Sequence, residues 1–118
     1  MHDTITIKIV DLIGNTRCIS VDDGQKVFDK TVELLKNKKK VTISFERVEM
    51  LISLFLNVAI GQLYGQFSEE DIRSAIKVEG LSEDDLELLK RVVDNAKKYY
   101  SNKESYDNAW LEEDDNEE

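Results

Sequence analysis

Residues 41–67 read V-T-I-S-F-E-R-V-E-M-L-I-S-L-F-L-N-V-A-I-G-Q-L-Y-G-Q-F, and they restrict the fold more than any other part of the chain. The stretch begins by alternating. Val41, Ile43 and Phe45 point one way, and Thr42, Ser44 and Glu46 the other, which is the period of a strand. Glu46, Arg47 and Glu49 end that pattern. From Met50 onward apolar residues come too densely for a one-sided element. Leu51, Ile52, Leu54, Phe55, Leu56, Val58, Ala59, Ile60 and Leu63 cover nearly the whole circumference of a helix. A helix that is apolar all round is buried, in protein or in membrane. A span needs about 20 predominantly apolar residues. Here Ser53, Asn57, Gly61 and Gln62 interrupt a shorter run, so the expectation is a buried helix in a soluble core.

The interruptions are themselves periodic: Ser53, Asn57, Gly61 and Gly65 follow at i, i+4, i+8 and i+12, a slowly drifting stripe. Two readings stand side by side. Small residues let a neighbouring element approach closely, or the stripe is a polar seam that a partner touches. Ser53 falls in the first turn, where backbone N–H groups lack helical partners and the dipole favours negative charge. A phosphate on Ser53 would suit that position.

Charge and chemistry narrow the function. Of the net charge of -9, residues 102–118 carry eight acids against the single Lys103, so the body is nearly neutral. That distribution argues against nucleic acid, whose phosphates are held by Lys and Arg. The basic run 36–40 reads as a solvated helix end. One cysteine, Cys18, excludes an internal disulfide and a cysteine-based zinc site, and it suits a reducing compartment. The one histidine, His2, leaves little material for Ser-His-Asp or Cys-His catalysis or for metal binding. No basic start precedes an apolar core in residues 1–8. A cytoplasmic protein without metal or cofactor is expected.

In chain order, residues 4–10 alternate as a strand with Ile5, Ile7 and Ile9 on one face. Gly14-Asn15 predicts a hairpin turn, and residues 17–21 the returning strand. Asp22 and Gln25 form a capping box opening a helix over residues 23–37, with Phe28, Val32 and Leu35 on its stripe. The strand and buried helix described above follow. Ser68 caps a short helical turn, residues 75–79 form a strand, and Ser82 with Asp85 starts a helix whose stripe is Leu86, Leu89, Val93, Ala96 and Tyr100. The predicted class is α/β: a mixed four-stranded sheet in the order β-β-α-β-α-β-α, helices mainly on one face. Residues 1–101 form the domain, and residues 102–118 an acidic tail whose composition reads as disordered. Within the tail, Tyr106, Ala109, Trp110 and Leu111 read either as a short binding segment or as a stray apolar patch.

The run I-S-F-E-R-V-E-M-L-I-S-L-F-L-N, followed by G-Q-L-Y-G-Q-F-S and A-I-K-V-E-G-L, resembles STAS domains, the fold of sulphate transporters and anti-sigma-factor antagonists. It is most similar to the STAS-like domain family of unknown function met in bacteria and archaea, over roughly residues 5–100. The resemblance implies a strand, a turn and a helix whose first turn carries a serine. In anti-sigma-factor antagonists an ATP-binding kinase of the histidine-kinase type phosphorylates that serine, and the matching position is Ser53. The flanking pattern departs from the antagonists. Ile52 stands at the aspartate position, Leu54 at the second serine, Phe55 at the glycine, and Ser44 where the strand often holds aspartate.

The residues favour a non-enzymatic regulatory module that docks a protein, a histidine-kinase-type ATPase or a regulator. Its surface comprises Glu46, Arg47, Glu49, Met50, Ser53 and Asn57, with Trp110 as a further contact and Ser53 as the phosphorylation candidate. The alternative is an acidic mimic, in which the tail occupies a basic surface of a partner. A carboxylate enzyme has Asp22, Asp23, Glu46 and Glu49 available, but no defined spacing pairs them.

Overall fold

The structure is a computed structural model that describes residues 4–101. Along the chain run β1 (Thr4–Lys8), α1 (Ile9–Ile13), β2 (Arg17–Cys18), α2 (Val21–Lys36), β3 (Lys40–Ser44), β4 (Met50–Leu51), α3 (Ser53–Ala59), a 3-10 turn (Gly61–Gly65), α4 (Glu69–Ala75), β5 (Ile76–Glu79) and α5 (Glu83–Ser101). Strands β1, β3 and β5 form a parallel sheet with β3 in the centre, and β2 and β4 form a separate parallel pair. The expected single mixed sheet of four strands is therefore corrected to two parallel sheets. The acidic tail, with Trp110, lies outside the described residues.

The predicted hairpin fails for a local reason. The strand ends at Lys8, before the expected limit at residue 10, and Ile9, Val10 and Ile13 are all buried, at helical rather than strand spacing. They make a single helical segment, which Gly14 ends in the left-handed conformation, donating its N–H to the Val10 carbonyl at 2.9 Å. Gly14 thus terminates a helix instead of turning a hairpin. The chain continues to β2, which pairs with β4 and not with β1. The expected strand over residues 17–21 shrinks to two residues because Ser20 accepts a hydrogen bond from the Asp23 N–H at 2.9 Å, so α2 starts at Val21. The capping box at Asp22 is displaced by this earlier cap.

Parallel register aligns the apolar positions across the main sheet. Ile5, Val41 and Ile76 form one row, and Ile7, Ile43 and Val78 the next. Ile7, Val41 and Ile43 are buried, whereas Thr4, Thr6, Lys8, Lys77 and Glu79 on the other face are exposed. Helix α2 packs against β1 and β3, and its other side meets α3. Phe55, Leu56 and Leu63 are fully buried beside Phe45 and Val27 in one core. Each such side chain stabilises the fold by about 1.5–3 kcal/mol relative to exposure. Gly24 allows the close crossing of α2 and α3, since a Cβ there would stand 3.0 Å from Val58 Cβ and 3.1 Å from the Phe55 carbonyl oxygen.

Residues 50–65 do not form one helix. Met50 and Leu51 extend as β4, α3 covers seven residues, and the 3-10 turn redirects the chain. Nor is α3 apolar all round in effect: Leu54 is 47% exposed. The stripe divides at the end of α3. Ser53 and Asn57 are exposed, whereas Gly61 is buried with Ala96 and Val92 of α5 within 3.8 Å of where its Cβ would be.

The sheet's outer edge depends on Gly80. After β5, Phe45 N–H donates to the Glu79 carbonyl at 2.9 Å, bringing the two backbones together. Gly80 has φ +82°, and a Cβ would lie 2.9 Å from the Glu46 nitrogen, a backbone atom with little room to yield. Gly80→Ala is expected to destabilise the fold by about 1–3 kcal/mol, the scale of a strained left-handed residue. Thermal or denaturant unfolding of the variant measures it, and an unchanged midpoint would count against this account of the turn.

Candidate functional site

Strands β2 and β4 run parallel, and each leads into a helix within three residues: β2 into α2 at Val21 and β4 into α3 at Ser53. Arg17 pairs with Met50 and Cys18 with Leu51, and Ile52 N–H donates to the Cys18 carbonyl at 3.3 Å. The starts of the two helices therefore emerge side by side. Strand alternation sends Cys18 inward, where it is wholly buried, and leaves Arg17, Ile19 and Met50 exposed on the outer side.

The candidate docking residues gather at this end of the molecule. Glu46 and Arg47 form the turn after β3, where Val48 N–H donates to the Phe45 carbonyl at 3.1 Å. Arg47 takes φ +68°, and its guanidinium donates to Asp11 of α1 at 2.9 Å. Glu49 N–H donates to the Thr16 carbonyl at 2.8 Å, which anchors the turn to the start of β2. Ser53 is the first residue of α3. Ile52 occupies the cap position, and no side chain caps the helix. Ser53 is thus exposed without serving as the local cap. Asn57 is exposed one turn further on.

Sequence reasoning missed the apolar part of this surface. Ile19 is 40% exposed and Val21 48%, joining Met50 and Leu54 around Ser53. Both residues fall in the strand expected over residues 17–21, and that expectation hides the start of α2 between them. The carboxylates considered for an enzyme are not assembled: Asp22, Glu46 and Glu49 are exposed, and Asp23 pairs with Lys26 at 3.7 Å. Among the described residues no group of three or more His, Cys, Asp or Glu side chains is placed to hold a metal ion. No described helix is long and apolar enough to cross a membrane.

Beneath the surface, burial pushes the Cys18 thiol up from 9.0 to about 11, with Asp23 and Asp85 adding to the rise. A thiol held up in this way is neutral at physiological pH and a poor nucleophile. Its contribution to stability is constant below pH 9.0 and is lost as pH rises toward about 11, because the unfolded chain ionises first. Cys18 is therefore expected to resist alkylation in the folded protein and to react fully in denaturant, as mass spectrometry of the labelled protein will read. Rapid labelling without denaturant would contradict the buried position.

The sequence profile of the STAS-like domain of unknown function (DUF4325) matches residues 23–86. The matched part runs from α2 to the start of α5 and takes in β3, the turn at Glu46 and Arg47, β4 and α3. No curated protein and no solved structure matches the chain. The matched segment covers more than half of the 118 residues, so the chain belongs to the family of STAS-like domains.

Proposed function

We propose that the protein is a cytoplasmic, non-enzymatic regulatory module that docks another protein at the paired starts of α2 and α3. The observation that carries this reading is the exposed apolar set Ile19, Val21, Met50 and Leu54 around the exposed Ser53. Apolar side chains with charged residues at the rim, here Glu46, Arg47 and Glu49, are the composition of a protein-binding patch. Membership of the STAS-like family fits a regulatory role, and in the anti-sigma-factor antagonists that the segment resembles the serine matching Ser53 is the one phosphorylated. In this reading the partner is a histidine-kinase-type ATPase or a regulator, and phosphorylation of Ser53 switches docking off. The new charge would have to be desolvated against an apolar partner.

The test uses the ATPase of the histidine-kinase class encoded nearest to this reading frame, with calorimetric binding and thermal unfolding measured side by side. Leu54→Glu is expected to weaken binding at least tenfold, or about 1.4 kcal/mol, with little change in melting. Ser53→Asp is expected to shift stability by no more than about 1 kcal/mol, the scale of a charge at a helix end, and to weaken binding as well. Ser53→Ala should bind like the parent protein. Parental affinity in both Leu54→Glu and Ser53→Asp would remove this surface from consideration. Unfolding by Ser53→Asp would show that the serine is core.

A further inference from the structure

At the opposite end of α2 lies a groove of about 430 Å³. Leu35, Phe67 and Ala75 give it an apolar floor. Lys36, Lys38, Lys39 and Lys40 stand around it, with Asp71 the one acid in its wall. Lys40 Nζ donates to the Ser74 carbonyl at 3.3 Å, joining the end of α2's connection to the end of α4. The groove therefore combines an apolar base with a strongly basic rim, and its natural complement is an acidic segment bearing large apolar side chains.

Such a segment follows Ser101 after four intervening residues. Residues 106–115 read Y-D-N-A-W-L-E-E-D-D, which places Tyr106, Trp110 and Leu111 among five acids. The exit of α5 is held close to the groove. Lys97 donates to Glu69 at 2.9 Å, and Arg73 donates to the same carboxylate at 2.7 Å. The hydrogen bond from Lys97, aided by Arg73, keeps the Glu69 carboxyl below its usual range. Tyr100 lies where a side chain on Gly65 would be, its Cε1 2.6 Å from the Cβ position. Ser101 then lines a cleft with Phe67, and Phe67 also lines the lysine groove. The cleft at the end of the described chain and the lysine groove thus share Phe67 as a wall. Residues 102–105 reach about 14 Å when extended, at ~3.5 Å each.

We propose that the groove receives residues 106–115 of the same chain, with Trp110 and Leu111 over Leu35, Phe67 and Ala75 and the acids 112–115 among the lysines. Tethering at this distance gives an effective concentration in the millimolar range, so weak contacts suffice. Screening by salt weakens the charged part of the interaction. The proposal is independent of docking at Ser53, because the two surfaces sit at opposite ends of α2.

Trp110 is the only tryptophan, so its fluorescence in the full-length protein reports on this segment alone. The expected result is a blue-shifted emission shielded from acrylamide, moving to the red and becoming more quenchable on addition of salt. The double variant Lys36→Glu, Lys38→Glu should show the released spectrum without salt, whereas Lys90→Glu, outside the groove, should match the parent protein. Circular dichroism melting of each variant establishes that it is folded, and the salt titration of the parent protein needs no variant. A water-like emission insensitive to salt and to the lysine reversals would overturn the proposal. A spectrum that changes on dilution would also overturn it, assigning the groove to the tail of a second copy.

Discussion

Strand β3 lies between two parallel neighbours, and most of the architecture follows from that. Parallel neighbours cannot be joined by tight turns, so each connection must cross over. The first crossover, between β1 and β3, contains α1, β2 and α2. The second, between β3 and β5, contains β4, α3, the 3-10 turn and α4. A small sheet therefore carries two long connections, and both must be covered and fixed. The β2–β4 pair does part of this by hydrogen-bonding one crossover to the other. The candidate docking surface is a by-product of that link, because two short parallel strands deliver two helix starts to the same place.

The strands of the main sheet were legible because their alternation is clean: Ile7, Val41 and Ile43 are buried, and Ile76 and Val78 partly buried, at every second position. The caps of α4 and α5 were legible as well. Ser68 Oγ accepts from Asp71 N–H at 3.0 Å and Ser82 Oγ from Asp85 N–H at 3.2 Å, each at the spacing the sequence showed. What could not be read was pairing. Gly14-Asn15 fits a hairpin turn and a helix end equally well, and only the burial of Val10 and Ile13 decides between them. The two-residue β4 has no periodicity to detect, and the strand expected over residues 17–21 carries no mark of its partner, so the parallel link between the crossovers left no trace in the residue pattern.

The candidate site was legible in its polar part and hidden in its apolar part, for one physical reason. Dense apolar sequence predicts burial on average, but a short helix has a first turn that its neighbours do not enclose. Leu54 follows Ser53 at that turn and is nearly half exposed, while Phe55 and Leu56, one and two residues further on, are wholly buried. The stripe of small residues divides in the same way. Gly61 and Gly65 lie beyond α3 and make room for Val92, Ala96 and Tyr100 of α5, which is the close-approach reading. Ser53 and Asn57 remain on α3 and face outward, which keeps the partner-facing reading for them alone.

Helix α2 separates the two surfaces. Its 16 residues span ~24 Å at 1.5 Å per residue, with the apolar patch at its start and the lysine groove at its end. Coupling between such sites needs an element with two discrete arrangements that both ends bias. Helix α2 is poorly suited to that role. Gly24 holds it within van der Waals contact of α3, Gln62 Nε2 donates to Gln25 Oε1 at 3.2 Å, and Val27, Thr31 and Leu34 are buried along its length. Thr31 even satisfies its hydroxyl internally, donating to the Val27 carbonyl at 2.8 Å. A helix fixed on this many sides transmits little displacement. In the proposed reading, a phosphate on Ser53 would thus act where it is placed, by adding a charge that an apolar partner must desolvate, and the groove at the far end would keep its shape.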